Sequence, residues 1–458
     1  MRYFIETYGC QMNKAESTAL EAQCRERGWE PAEAPDEAEL VVINTCSVRI
    51  SAENRAWGRI SHYAAKKRER RFVLAITGCM AERLKEEMKK RQPAIDYVLG
   101  NFQKQAFGLV LDAAAQGRVL PSVEESPAFA FAPSHLEPGA FRAFLPIMHG
   151  CDNYCSYCIV PYVRGREVSR DPRSILNELR TMAERGVREV TLLGQNVNSY
   201  HYVGAAGAAE AVPASGAAAS GDAASGSSTA LRFPGLLRLA AAEAKALGIG
   251  RIRFVSSHPK DLSDETIDVI AREPVLARHV HLCVQHGSDR VLAAMNRRYT
   301  AADYLALVER MKARIPELSL STDILVGFPG ETEEDLEATF ELMRRVRFAY
   351  AYMYFFNPRE GTAAVKLPGA LPDAVKKERL ARVIALQKEI TRDLMKSYLG
   401  KTAEVLVEDR SKKKEGELLA RTDQDMMVVF PGDASLIGSF ARVRLESLRG
   451  ATFRGQEV

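Results

Sequence analysis

Short apolar runs, each closed at its carboxyl end by a cysteine or by a cluster of Gly, Pro, Gln, Asn and Ser, alternate with charged stretches of helical character along most of this chain. Strands linked through helices run in one direction, so such alternation builds parallel sheets and gathers every strand's carboxyl end on one edge. In the first part the runs are Tyr3-Phe4-Ile5-Glu6, Leu40-Val41-Val42-Ile43 and Phe72-Val73-Leu74-Ala75-Ile76, followed by Cys10, Cys46 and Cys79. Three cysteines far apart in sequence therefore converge, which predicts a three-thiolate site on an N-terminal parallel-sheet α/β domain. Any one of them alone reads equally well as a small core residue.

From Phe141 the alternation resumes with Leu145–Met148, Val190–Leu193, Ile252–Val255, Val280–Val284, Leu320–Val326 and Ala351–Phe356. Six βα units without a seventh and eighth predict an open, partial (β/α)6 barrel, whose chemistry belongs at the carboxyl ends of its strands. Between residues 204 and 228 the sequence is rich in Ala, Gly and Ser, a composition expected of a flexible insertion. From Asp373 to Leu399, apolar Leu380, Val383, Ile384, Ile390, Leu394 and Met395 recur at helical spacing and predict a connecting helix. Ala403–Glu408, Gly416–Arg421, Met426–Phe430 and Phe440–Glu446 are short alternating runs of the kind that close a small antiparallel β-barrel, a common oligonucleotide binder. Arg410, Lys412, Lys413, Lys414, Arg421, Arg449 and Arg454 could meet phosphates there, but acidic residues nearly balance them and a solvated charged face reads as well.

After the first barrel strand come Cys151, Cys155 and Cys158, in the spacing CxxxCxxC. Three thiolates hold three corners of a four-iron cluster and leave the fourth iron open. An open iron can chelate the amine and carboxylate of S-adenosylmethionine, and the spacing resembles that of the radical S-adenosylmethionine enzymes. Tyr157 offers a surface for adenine, and Gln195, Asn196, Ser257, Gln285 and Asp323, at strand ends, are candidate cofactor contacts whose alternative is hydrogen bonding within the barrel mouth. A tetrahedral zinc completed by His149 or a distant cysteine, and a disulfide with a spare thiol, are the competing readings of the cysteines. The chain is 46% hydrophobic and 27% charged with a net charge of +4, which suits a globular protein of two to four domains and permits a nucleic-acid partner without demanding one. No leader-like start and no apolar run of membrane-spanning length is evident, so a cytoplasmic location is expected. No Ser-His-Asp or paired-carboxylate site stands out.

With these motifs placed, the chain resembles the methylthiotransferases of the radical S-adenosylmethionine class along nearly its whole length. The resemblance is carried by the two cysteine sets, Tyr8-Gly-Cys-Gln-Met-Asn13, Ile159–Arg170, Leu193-Gly-Gln-Asn-Val-Asn198 and Asp323–Thr332. It implies an N-terminal methylthiotransferase domain over 1–125, a radical barrel over 137–370, the connecting helix over 371–399 and a TRAM RNA-binding domain over 400–458. It also implies two [4Fe-4S] clusters as metal cofactors, one on Cys10, Cys46 and Cys79 and one on Cys151, Cys155 and Cys158. The activity implied is addition of a methylthio group to carbon 2 of N6-isopentenyladenosine at position 37 of tRNA, with one S-adenosylmethionine giving its methyl group and a second giving a 5′-deoxyadenosyl radical. The alternative substrates are threonylcarbamoyl-adenosine in tRNA and an aspartate of a ribosomal protein; a noncatalytic, metal-stabilised RNA-binding protein is the reading from another class. The resemblance further implies an electron donor such as a flavodoxin or ferredoxin, a sulfur source, no membrane, and a monomer. Arg164, Arg166 and Arg170 are expected to face tRNA or a cofactor carboxylate. Cys283 and His286 depart from the Pro and Ser expected of the family; Cys283, mid-strand, and Cys24, on a helix, read as packing residues.

Overall fold

The computed structural model describes residues 1–48, 50–126, 129–204 and 230–458; the insertion expected over 204–228 lies, beyond Gly204, outside the described residues. The N-terminal sheet is parallel throughout, in the order β2-β1-β3-β4-β5, with β1 Arg2–Thr7, β2 Glu30–Pro31, β3 Leu40–Thr45, β4 Val73–Gly78 and β5 Tyr97–Leu99. Every residue of β3 is buried. Its alternating side chains feed two cores, Leu40 and Val42 with Tyr97 and Phe107 on one face, Val41 and Ile43 with Ile60 and Met80 on the other. A strand covered on both faces needs an unbroken apolar run, which is what the sequence shows. Helix α1 (Gln11–Glu26) follows β1 and helix α2 (Cys79–Leu84) follows β4.

The central barrel consists of two parallel three-stranded sheets, β8-β7-β6 and β9-β10-β11, with β6 Arg142–Pro146, β7 Glu189–Leu193, β8 Arg251–Phe254, β9 His279–His281, β10 Ser319–Val326 and β11 Tyr350–Phe355. Bridges Ile252–Leu276 and Ser257–Leu282 join them. Its helices start at Ser263, Thr300 and Thr332, whose hydroxyls accept the backbone N–H of Thr266, Asp303 and Asp335.

Two strands differ from expectation. The first begins at Arg142 and stops at Pro146, although the next residue, Ile147, still donates to the Leu193 carbonyl at 2.9 Å. Beyond it Met148 and His149 pair antiparallel with Val168 and Ser169, folding the cysteine loop and helix α3 (Val160–Arg164) back on themselves. The fourth strand ends at His281 because the chain turns through Gln285, whose φ of 69° is left-handed. Cys283 is therefore past the strand, not within it.

Helix α4 (Asp373–Lys396) leads to a closed five-stranded barrel, β12-β13-β14-β16-β15, formed by β12 Thr402–Arg410, β13 Glu417–Thr422, β14 Met427–Pro431, β15 Phe440–Arg449 and β16 Thr452–Glu457. The fifth strand escaped the sequence reading because Phe453 is its only large apolar residue, and it closes the barrel by a parallel seam with β14. The turn after β13 plugs the amino end of the central barrel. Arg253 donates to the carbonyls of Asp423 (3.0 Å) and Thr422 (2.7 Å) and to Glu189 (3.0 Å), and Tyr350 donates to Asp425 at 2.5 Å. Among the described residues no helix is long and apolar enough to cross a membrane.

Candidate metal centres at the barrel mouth

Cys10, Cys46 and Cys79 follow β1, β3 and β4, three adjacent parallel strands, so backbone topology alone brings them to one edge. A buried amide pair ties these strand ends together. The Asn13 amide accepts from the Cys10 backbone N–H and thiol, each at 3.3 Å, and donates to Asn44 and to the Thr45 carbonyl, each at 3.0 Å. Asn44 returns a bond to the Asn13 carbonyl at 2.9 Å. Gly78, one residue before Cys79, has φ of 93°, and a Cβ there would stand 2.3 Å from the Thr45 carbonyl oxygen. Only glycine lets β4 close this tightly on β3.

Cys151 is preceded by Gly150, whose φ is 80° and whose added Cβ would lie 2.0 Å from the Arg166 carbonyl oxygen. The Cys158 N–H donates to the Cys155 carbonyl at 2.9 Å, closing the loop into a turn. Arg297, buried, donates through Nη1 to Cys155 Sγ at 3.3 Å and through Nη2 to the Cys283 carbonyl at 2.7 Å. Burial pushes the Cys79 thiol up, and the thiols of Cys151 and Cys158 to about 11 and about 12. Buried sulfurs of this kind become thiolates when a metal supplies the compensating charge. None of the described cysteines is joined in a disulfide. His149, which a zinc site would recruit, is stacked on Phe129 with 3.5 Å between ring centroids and bonded to Arg164 at 3.3 Å. The donor chemistry at both sites is three sulfurs, which fits an iron–sulfur cluster with one open iron.

The two sets are joined by packing. Cys79 packs with Ile159, the residue after Cys158, and with Val163 on the helix that follows. Arg164, 2% exposed, reaches across to Glu16 of α1 at 2.6 and 3.3 Å, and Lys104 joins the same carboxylate at 2.7 Å. These cations hold the Glu16 carboxyl, against the opposing cost of its burial, well below the usual range. The expectation that Arg164 and Arg170 face a ligand is thus corrected: Arg170 is buried against Glu178 at 2.6 Å, and of the three arginines only Arg166 points to solvent.

Around the mouth the polar residues sort into two groups. Gln195 Oε1, both amide atoms of Asn198, Ser257 Oγ and His258 Nε2 are buried without a hydrogen-bond partner among the described residues. Orphaned polar atoms on the ends of β7 and β8 suit a polar ligand such as S-adenosylmethionine. Asn196 is different: its amide donates to Asp261 at 2.7 Å and accepts from the His258 N–H at 3.3 Å, so it braces the loop. Ser256 and Gln285 have φ of 66° and 69°, strained backbone of the kind kept at functional sites. Tyr157, half-buried, packs against the apolar cluster that contains Val291, Met295, Leu325 and Phe328. Asp323 meets Cys283 Sγ at 3.5 Å and His281 Nε2 at 3.7 Å, and His281 Nδ1 bonds Ser321 at 2.9 Å. Cys283 is therefore part of a polar cluster and not a packing residue; Cys24 is fully buried in the apolar core, as expected. Arg297, Glu16, Asn198 and His258 were not singled out from sequence: nothing local marks a glutamate or arginine whose partner lies on a distant element, and Asn198 and His258 stood unselected in the polar clusters that follow the second and third barrel strands.

A model described as "Uncharacterized protein family UPF0004" matches residues 2–100, one for the Radical SAM superfamily 145–343, and one for the TRAM domain 396–458. A tRNA-2-methylthio-N(6)-dimethylallyladenosine synthase of Treponema denticola is 47% identical over 99% of this chain and 99% of its own length. Proteins with the same description from Moorella thermoacetica and Bacteroides fragilis are 40% and 39% identical, covering 99% and 100% of this chain and 98% and 96% of theirs. Among solved structures, the radical S-adenosylmethionine methyltransferase TsrM from Kitasatospora setae, with cobalamin and a [4Fe-4S] cluster bound, superposes with a TM-score of 0.55 at 14% identity over 80% of this chain and 77% of that one, a likeness of fold.

Proposed function

The chain belongs to the family of tRNA-2-methylthio-N(6)-dimethylallyladenosine synthases, and from that membership we infer that it adds a methylthio group to carbon 2 of N6-isopentenyladenosine in tRNA. The observation that carries this reading is the apposition of two three-cysteine sets across the contact of Cys79 with Ile159 and Val163. A reaction that joins an activated carbon to a sulfur carried elsewhere needs two such sites within reach.

We assign one [4Fe-4S] cluster to Cys10, Cys46 and Cys79 and the other to Cys151, Cys155 and Cys158. When bound, the clusters and S-adenosylmethionine supply methyl transfer to sulfur and a carbon radical able to break a strong, nonacidic carbon–hydrogen bond. The chain's own residues position and shield. Tyr157 walls the adenine side, Gln195, Ser257 and Gln285 offer polar contacts, and Asn196 holds the loop that carries them. Asp323, in contact with His281 and Cys283, presents a carboxylate whose burial is offset by His281. Arg297 and Arg164 are buried cations beside sulfur ligands, placed to balance negative charge as a cluster forms.

The same reading divides the chain at 1–125, 137–370, 371–399 and 400–458, with the last segment contacting tRNA. It calls for an external one-electron donor of the flavodoxin or ferredoxin kind, a source of sulfur, a monomeric enzyme and a cytoplasmic location. The test is mass spectrometry of nucleosides from isopentenylated tRNA after anaerobic incubation with the reconstituted protein, S-adenosylmethionine, sulfide and dithionite. The expected product is 2-methylthio-N6-isopentenyladenosine. Release of 5′-deoxyadenosine without it would retain the radical chemistry and redirect the substrate to threonylcarbamoyl-adenosine or a ribosomal-protein aspartate.

A further inference from the structure

Two tyrosines on the rim of the cysteine loop are exposed. Tyr154, between Cys151 and Cys155, is 41% exposed, and Tyr162, on α3, is 54% exposed. Their ring centroids are 6.0 Å apart with planes at 87°, an edge-to-face arrangement in which both rings remain exposed. The backbone is arranged to keep them there. Tyr154 has φ of 46°, a left-handed conformation that a bulky aromatic residue rarely adopts. It is held by Asn296, itself left-handed at 58°, whose amide donates to the carbonyls of Tyr154 (3.0 Å) and Asn153 (3.3 Å). Ser156 adds a bond from its N–H to the Met295 carbonyl (3.0 Å) and one from its hydroxyl to the Ala294 carbonyl (2.8 Å). Tyr154 lies between Cys151 and Cys155, so the same left-handed turn that shapes the cysteine loop also directs the ring outward.

The surroundings carry positive charge. Arg166, whose side chain is 77% exposed, uses only Nε and Nη2 on Asp152, and Arg298, two residues from Asn296, is exposed with no ion pair among the described residues. Open π-faces flanked by guanidinium groups are what an unpaired nucleotide requires, the base stacking and the phosphates meeting arginine. We propose that Tyr154 and Tyr162 form a stacking platform for an unpaired base of the RNA substrate, next to the nucleotide that enters the barrel mouth. This rests on the reading of the chain as an RNA-modifying enzyme and names the part of that site which grips the loop around the target.

The test is equilibrium binding, at fixed salt and without oxygen, of a labelled anticodon stem-loop RNA carrying N6-isopentenyladenosine to the reconstituted full chain. Base stacking on one aromatic ring corresponds to roughly a 5- to 150-fold change in Kd. Tyr154→Ala and Tyr162→Ala should each weaken binding by that factor, while Tyr→Phe and Tyr→Trp at the same positions keep it, with iron content equal to that of the unaltered protein. Tyr162→Ala decides the matter if Tyr154→Ala loses iron. Unchanged affinity in an iron-replete alanine variant overturns the platform, and so does a phenylalanine variant as weak as alanine, which would assign the effect to the hydroxyl. Weakened binding in a protein that makes no methylthio product would leave the platform standing and overturn the reaction instead.

Discussion

Arg164 shows how one side chain can belong to two sites at once. It stands six residues after Cys158, yet its partner is Glu16, six residues after Cys10. Removing one member of a buried ion pair strands the other, at a cost of about 3–5 kcal/mol. Arg164→Ala is therefore expected to lower the unfolding free energy by that order and to reduce iron at the N-terminal set, whereas Arg164→Lys keeps the charge and most of the iron; urea unfolding and iron analysis check both. Histidines set the response to pH. Burial, opposed by Asp425, lowers His279 to about 4, and burial with Arg297 nearby lowers His258 to about 2. The unfolded chain takes up these protons as pH falls through about 6.5 while the folded chain does not, so stability falls on acidification below about 6.5. His281, raised by Cys283 and Asp323 against its burial, is protonated in both states in that range and adds no slope there. His279→Asn should flatten the dependence of unfolding free energy on pH between pH 6 and 5 by about 1.2 kcal/mol per unit; an unchanged slope would mean that the folded imidazole titrates normally.

Among the elements, the turn after β13 has a role that its strand pattern does not announce. Its carbonyls accept from Arg251 and Arg253 of β8, and Glu189 of β7 lies beneath both arginines, its carboxyl held low by them against its own burial. A small barrel read from sequence as an RNA-binding module is also the floor of the central barrel. The two should accordingly unfold together. Calorimetry is expected to give one transition for both in the parent protein, and Arg253→Ala, which leaves Glu189 with weaker partners, should separate the C-terminal barrel as an earlier transition. Two transitions already present in the parent protein would show that the turn carries no coupling. Arg421, expected among phosphate contacts, is occupied by Glu408 at 2.7 Å and Asp425 at 3.0 Å within this junction, which removes it from any RNA-facing surface.

For the whole molecule, the two proposed cluster sites use separate cysteines and are joined in their packing, and the partition of iron measures which matters more. Replacing Cys151, Cys155 and Cys158 together by Ala should leave about four irons per chain on the N-terminal set; complete loss of iron from a folded variant would show that the two sites load as one. Much of this was legible in the chain. Period and order of the apolar runs determined the parallel sheets, and strand ends determined where Cys10, Cys46, Cys79 and the polar ring would gather, because in a parallel sheet position along the chain dictates the edge. Local spacing of Cys151, Cys155 and Cys158 carried its own chemistry. The tertiary structure alone decided the rest: that Arg164 turns inward to Glu16, that Asn196 braces and does not reach for a ligand, that Cys283 lies beyond its strand in a polar cluster, and that Arg297 meets Cys155. Each of these depends on which side chain meets which partner on another element, across a domain boundary for Arg164 and within the barrel for the others. Such contacts are set by packing, and no periodicity or local motif encodes them.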